Sequence, residues 1–415
     1  MTGTGAGRGD TLLKGGDRFG ARARAGTGAL ARLFGGTFHR ILDRIDRGLE
    51  QGRIEASLPD GTYRVLGGRA DGFACRVDVT DWRALVRLAT GGSAGWYQAW
   101  EKGEWTSPDP VPLFALFMAN AVPLGEVGRA KGPWRLAARA MHWLNRNTRA
   151  QAQRNIAAHY DLGNDFYAAW LDPTMSYSSG YRHGADGLEA SQRRKWTRLA
   201  ERIGDAATVL EIGCGWGGLA GYLQGRGAQV TGISLSDEQL AWAARHHPGP
   251  EFRKQDYRDA AGQHDAIVSV EMVEALGREY WPAYMEALAR NLKPGGRAAI
   301  QYIAMRDELF DAYAANADFI QAYVFPGGLL IRTSEFRRLA EEQGLDWQDE
   351  EAFGLDYAET LKAWRERFDD AVAARRLPAD FDRRFRDLWR FYLMYCEGGF
   401  RGGGIDVVQV TLVKR

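Results

Sequence analysis

The stretch Val209–Gly218, VLEIGCGWGG, constrains this chain more than any other. Val209, Leu210 and Ile212 read as a short buried strand that runs into a turn with glycine at 213, 215 and 217. A helix then begins near Gly218. Glycine permits positive φ and leaves the backbone open to a close ligand. The following helix turns its positive N-terminal end toward the same space. Dinucleotide loops carry G-x-G-x-x-G, whereas the spacing here is G-x-G-x-G with Glu211 just ahead of it. That carboxylate opposes a pyrophosphate and suits a cationic ligand, such as the amino group of S-adenosylmethionine (SAM).

The surroundings support a doubly wound α/β sheet. A second apolar strand, Gln229–Ile233, ends in Ser234-Leu235-Ser236. An acid-bearing turn follows at Gln255-Asp256-Tyr257, then strands at Asp265–Val270 and Ala298–Ile303 with helical stretches between. Ligands of such sheets bind at the carboxyl ends of the strands. Ile405–Val413 alternates and reads as the last strand.

These pieces, together with HYDLGNDFY (His159–Tyr167), MSYSSGY (Met175–Tyr181), GISLSDEQ (Gly232–Gln239), SVEMVEALG (Ser269–Gly277), FPGGLL (Phe325–Leu330) and CEGGFRGGGIDVVQ (Cys396–Gln409), resemble the cyclopropane-fatty-acid synthase family of SAM-dependent methyltransferases. The resemblance runs from about Gly95 onward. It implies a Rossmann-like SAM domain over 151–415, with an acyl-channel lid near 304–335, and a smaller mixed, helical N-terminal lipid-facing domain over 37–150. It also implies unsaturated phospholipid acyl chains as substrate, a cytoplasmic place at the inner face of the membrane, and homodimers. The expected reaction moves the SAM methyl to an acyl double bond. Loss of a proton from the new methyl then closes a cyclopropane, the expected product; loss elsewhere leaves a methyl or methylene branch, and methylation of another apolar small molecule, such as a quinone or sterol, is a further alternative.

Composition narrows the alternatives. A net charge of +1 carries no nucleic-acid signal. Cys75, Cys214 and Cys396 are scattered, so neither a disulfide framework nor a metal site is expected. No apolar run reaches the ~20 residues that span a bilayer. Met1 to about Gly36, rich in Gly, Thr, Ala and Arg, reads as an unfolded basic tail. Phe38–Gln51 reads as a helix, Arg53–Val79 as small strands, Trp82–Leu88 and Pro108–Leu124 as helices. Arg129–Arg154 holds seven basic residues and no acid. Trp134, Ala137, Met141 and Leu144 share a face opposite Arg135, Arg139 and Arg146, which suits an anionic membrane surface. The aromatics Phe310, Tyr313, Phe319, Ile320, Tyr323 and Phe325 suit either a lid or a core.

The reaction needs a dry channel and a positioned base. Glu274, just past the fourth strand, is the leading candidate, with Glu271 its rival. In many bacterial relatives a bicarbonate ion is the base, held by a cysteine, a glutamate, a histidine and a tyrosine. Carried over, the glutamate is Glu274 and the tyrosine Tyr357, while Ser179 and Gln301 stand at the cysteine and histidine positions. Serine and glutamine still hydrogen-bond an anion but do not ionise near neutral pH, so bicarbonate use is in doubt. The Ser/Gln pair resembles a branch that includes plant cyclopropane synthases and actinobacterial enzymes making methyl-branched chains. Cys396 matches a family cysteine once regarded as catalytic. For SAM, the resemblance adds Tyr160, Tyr177 and Ser178 at the carboxylate end, with Gly213, Gly215, Gly217 and Glu211 around the methionine. Ser234, Ser236 and Gln239 stand at the ribose, Asp256 and Tyr257 at the adenine, and Trp216 either on SAM or closing the loop.

Overall fold

The computed structural model describes residues 8–17, 35–125, 162–316 and 318–415. The chain forms two compact units, each assembled from three pieces of sequence. One comprises Met1–Asn145, Glu308–Pro326 and Asp380–Gly404; the other comprises Arg146–Asp307, Gly327–Ala379 and Ile405–Arg415.

In the first unit, strands β1 (Arg53–Ser57), β2 (Tyr63–Gly67), β3 (Ala74–Val79) and β4 (Trp105–Thr106) form a sheet in the order β2-β1-β3-β4. The helix Arg83–Glu101 runs on from Trp82 through Trp96 and Trp100, with a break at Gly92, where φ is +57°. Trp96 stacks on Trp105 at 4.4 Å, and both are buried in the core of this unit. The expected Pro108–Leu124 helix is divided at Asn120, whose side chain accepts the N–H groups of Glu50 and Gln51 and donates to Gln51 O and Leu116 O. The helix Arg383–Arg401 packs against Val111–Ala119, and a Cβ on Gly398 would lie 2.4 Å from Phe114 Cβ. Glycine permits that close approach. Within the stretch read as a tail, Asp10–Asp17 is a helix that buries Leu12 and Leu13, and Arg8 pairs with Asp380 at 2.6 Å. Fully burying such side chains contributes about 1.5–3 kcal/mol each, which is why this piece folds despite its composition. Most of the segment read as a lid belongs to this unit, as helices Asp307–Ala314 and Phe319–Tyr323. Phe310, Phe319 and Tyr323 are core residues. Phe319 packs on Tyr97 and Phe391, and Gln98 donates to Tyr323 OH at 2.8 Å.

The second unit carries a seven-stranded sheet in the order β10-β11-β9-β8-β5-β6-β7. Its strands are β5 (Thr208–Ile212), β6 (Gln229–Ser234), β7 (Glu251–Lys254), β8 (His264–Val270), β9 (Leu292–Met305), β10 (Leu345–Ala352) and β11 (Ile405–Lys414). Strands β5 to β9 are parallel, and β11 is antiparallel between β9 and β10. Continuous apolar runs such as Ala266–Val268 are what a parallel strand covered on both faces requires. Helix Gly187–Ile203 lays Trp196, Leu199, Ala200 and Ile203 on Val209, Val230, Ala266 and Val268. The strand order reverses between β5 and β8, and the carboxyl ends of those two strands are therefore where a ligand crevice opens. Among the described residues no helix is long and apolar enough to cross a membrane.

Candidate active site

The glycine loop leaves β5 as expected. Gly213 N and Cys214 N both donate to Ile233 O, at 3.0 and 3.1 Å, which ties the loop to β6. The helix Gly218–Gly225 starts from Gly217 at φ +83°, where a Cβ would come within 2.8 Å of Ala243 and Phe252. Gly215 has φ +51° and nothing within 4 Å of a Cβ position, so its face is open to a ligand. This open backbone ahead of a helix N-terminus fits the methionine part of SAM. Trp216 is buried, donates to Asn164 Oδ1 at 2.7 Å and packs on Tyr167, so it closes the loop. Glu211 is buried, and one of its carboxylate oxygens lacks a partner. Burial lifts its carboxyl to about 8, against the Ala220 N–H and the charge of Lys195.

The remaining SAM candidates divide. Ser236 caps the helix Asp237–His246 by accepting Gln239 N–H, and Ser234 Oγ donates to Gln239 Oε1 at 3.3 Å. Asp256 is held by Arg258 at 2.5 Å, and the buried Tyr257 ring stands edge-on to Tyr284. Ser178 Oγ accepts from the buried Lys195 Nζ at 2.6 Å, and its carbonyl accepts from Gln192. Tyr177 packs among Tyr167, Trp170 and Trp364. Tyr160 and the basic helix at Arg129–Arg154 lie outside the described residues.

The structure gathers Ser179, Gln301 and Tyr357 around one group, and that group is Glu271. Ser179 N donates to Glu271 Oε1 at 2.9 Å, Gln301 Nε2 to the same oxygen at 2.8 Å, and Tyr357 OH to Oε2 at 2.8 Å. The Ser179 hydroxyl itself turns to Gly180 O. Glu271 follows β8 with φ +49°, and its N–H donates to Gln301 O. A bulky residue in the left-handed region is strained, and such strain concentrates at functional positions. Here it turns the carboxylate back into the three donors. Burial raises its pKa, opposed by Lys195, the Ser179 N–H, Gln301 and Tyr357.

Glu274 lies one turn on, in Val273–Ala275. It accepts the Ile303 N–H, and its Oε2 is buried without a partner. Burial, then the charge of Glu271, pushes its carboxyl up to about 8. Burial raises both acids; Glu271 has three donors and the charge of Lys195 against it, while Glu274 has the Ile303 N–H. Of the four side chains expected to hold an external anion, Gln301 and Tyr357 donate to Glu271 instead, and the Ser179 hydroxyl donates to Gly180 O. Cys396 belongs to the other unit, on helix Arg383–Arg401, and burial raises its thiol.

A sheet with this strand order, a glycine loop after its first strand and a buried acid pair at the neighbouring strand end define a SAM-dependent methyltransferase. The chain belongs to the mycolic acid cyclopropane synthetase family, whose model matches residues 147–410. It is similar to the tuberculostearic acid methyltransferase of Mycobacterium tuberculosis, with 36% identity over 96% of both chains. It is also similar, with 36% identity over a shorter stretch, to the cyclopropane-fatty-acyl-phospholipid synthase of Escherichia coli, over 62% of this chain and 66% of the relative. A solved mycolic acid cyclopropane synthase complexed with SAH and CTAB superposes with a TM-score of 0.59 and 26% identity, covering 63% of this chain and 98% of that one.

Proposed function

We propose that this chain methylates the double bond of an unsaturated fatty acyl chain carried on phospholipid, and that Glu271 is the base that takes the proton released. The observation that carries this reading is the convergence of Ser179 N–H, Gln301 and Tyr357 on Glu271. SAM, when bound, supplies a methyl on a sulfonium sulfur. The alkene π pair forms the new carbon–carbon bond, and a carbocation remains on the acyl chain. Glu271 accepts a proton from that cation, and the C–H pair left behind closes a ring or forms a new double bond. A base already buried and oriented needs little reorganisation. Its three donors stabilise the ionised form and aim it.

Methyl transfer followed by proton loss conserves electrons, so the direct product is a cyclopropane or a methylene-branched chain. A saturated methyl branch takes a further reduction. The sequence placed ring closure first. The relative matched along 96% of both chains is named a methyltransferase and not a cyclopropane synthase, and this supports the methylene branch. The Escherichia coli synthase supports ring closure as the second reading.

The test is an incubation with SAM and liposomes of monounsaturated phospholipid, reading recovered acyl chains by mass spectrometry and proton NMR. One added CH2 with vinylic methylene protons is expected; upfield ring protons would move the product to cyclopropane. Glu271→Gln is expected to bind SAM normally and give no product, and wild-type turnover there would end the base assignment. The lipid reading also puts Arg135, Arg139 and Arg146 on an anionic membrane. Reversing all three to Glu should abolish sedimentation with anionic vesicles, and unchanged sedimentation would remove them from the surface.

A further inference from the structure

The polar groups around Glu271 do not end at Gln301. In the β9–β11 ladder Gln409 stands directly opposite Gln301. Its Nε2 donates to Gln301 Oε1 at 2.9 Å, and its own Oε1 accepts from Arg202 Nε at 3.1 Å. Arg202 comes from helix Gly187–Ile203. Its Nη1 donates to Asp349 O at 2.6 Å and Thr411 Oγ1 at 3.2 Å, and its Nη2 to Glu351 Oε2 at 3.4 Å. Arg202, Gln409 and Gln301 are exposed by 2%, 0% and 1%, so water does not compete for these bonds.

The direction of this line is fixed from its ends. A guanidinium only donates, an ionised carboxylate only accepts, and a primary amide does both. Between Arg202 and Glu271 each amide has one orientation that makes every bond. Turning Gln409 would set N–H against N–H at Arg202 and oxygen against oxygen at Gln301. Turning Gln301 would set its oxygen against Glu271. Leaving a buried polar group unpaired carries its full desolvation penalty, and that penalty holds one arrangement.

We propose that Arg202 and Gln409 are positioning residues for the methyl-transfer reaction, acting through Gln301 to keep an N–H donor aimed at the Glu271 carboxylate. The proposal rests on Glu271 being the base. Neither residue touches Glu271. The charged and titratable groups that face Glu271 are Lys195 from helix Gly187–Ile203, Tyr357 from helix Gly354–Ala373 and Glu274 from the turn after β8. Lys195 and Tyr357 are unchanged by substitutions at 409.

The experiment compares Gln409→Met, Gln301→Met and the double variant in the full chain, with SAM and monounsaturated phospholipid liposomes, measuring kcat against pH and KM for SAM. Methionine keeps the side-chain length and removes both bonds. With Gln409→Met, Gln301 is free to turn, Glu271 loses a donor, and its ionised form is less favoured. The acid limb of kcat is expected to move up by about one pH unit. kcat at neutral pH should fall about tenfold, the size seen when a supporting hydrogen bond behind a reactive group is lost, with KM for SAM unchanged. The double variant should lose no more than Gln301→Met alone, since the relay acts only through that amide. Arg202→Met, which frees the orientation of Gln409, should move the limb in the same direction and serves if Gln409→Met does not fold. Simple loss of packing lowers the melting temperature without moving the limb. With Glu271→Gln inactive, an unmoved limb or additive losses overturns the relay alone. Wild-type turnover in Glu271→Gln overturns the base assignment and the relay with it.

Discussion

Tyr357 donates its hydroxyl to Glu271 Oε2 at 2.8 Å across 86 residues of sequence. The bond joins the long helix after β10 to the turn after β8, and it leaves each carboxylate oxygen of Glu271 with a donor. A hydrogen bond to a charged group contributes about 1.5–3 kcal/mol. Tyr357→Phe should therefore lower kcat by roughly ten- to a hundredfold, with SAM affinity by calorimetry unchanged. A variant at wild-type kcat would separate Tyr357 from the base.

Glu274 makes stability depend on pH. Its folded carboxyl titrates at about 8, against 4.5 in the unfolded chain. A raised folded value means the native state holds the proton more tightly. This contribution is full below pH 4.5 and is lost as pH rises toward 8. Melting temperature should fall over that window, and Glu274→Gln should flatten the fall. Glu211 has the same sign, so some slope should remain. An unchanged slope in Glu274→Gln would show that Glu274 is not buried as a neutral acid.

Gly215 is the position where a side chain would stand in the ligand's space. Its φ of +51° is one that β-branched residues avoid, and its Cβ direction is open. Gly215→Val should fold and show no measurable SAM binding by calorimetry. Normal affinity in a folded variant would move the pocket away from this loop.

Cys396 should be dispensable for the chemistry. Burial raises its thiol well above the ordinary range, so no thiolate is available near neutral pH. Cys396→Ala should keep turnover within about twofold, apart from a small loss of packing. Loss of activity with an unchanged melting temperature would return it to the mechanism.

What could be read from sequence follows from where the signal lies. The loop VLEIGCGWGG and strands β5, β6, β8, β9 and β11 were legible, because local apolar runs and glycine spacing carry them. Strands β7 and β10 were not. EFRK is a short, largely exposed edge strand, and LDWQDEEA is a mostly polar edge strand that bends at Gln348/Glu351. Sequence ranked Glu274 over Glu271 as the base; the proposal that reverses this order rests on the bonds from Ser179 N–H, Gln301 and Tyr357, which no spacing reveals. Glutamine 301 and 409 are 108 positions apart and meet only through the β9–β11 register. Nothing local marks either residue as more than a polar residue in an apolar strand.

The place of β11 in the sheet bears on the order in which the molecule can be completed. It follows β9 and β10 in the chain yet lies between them. Until it is made, β10 has no partner and β9 offers an open edge. The β9 edge gains this partner only with Ile405 and the residues after it, a hundred positions beyond Met305. Gln409 is carried on that same strand, so the line behind Glu271 is closed only when the sheet is.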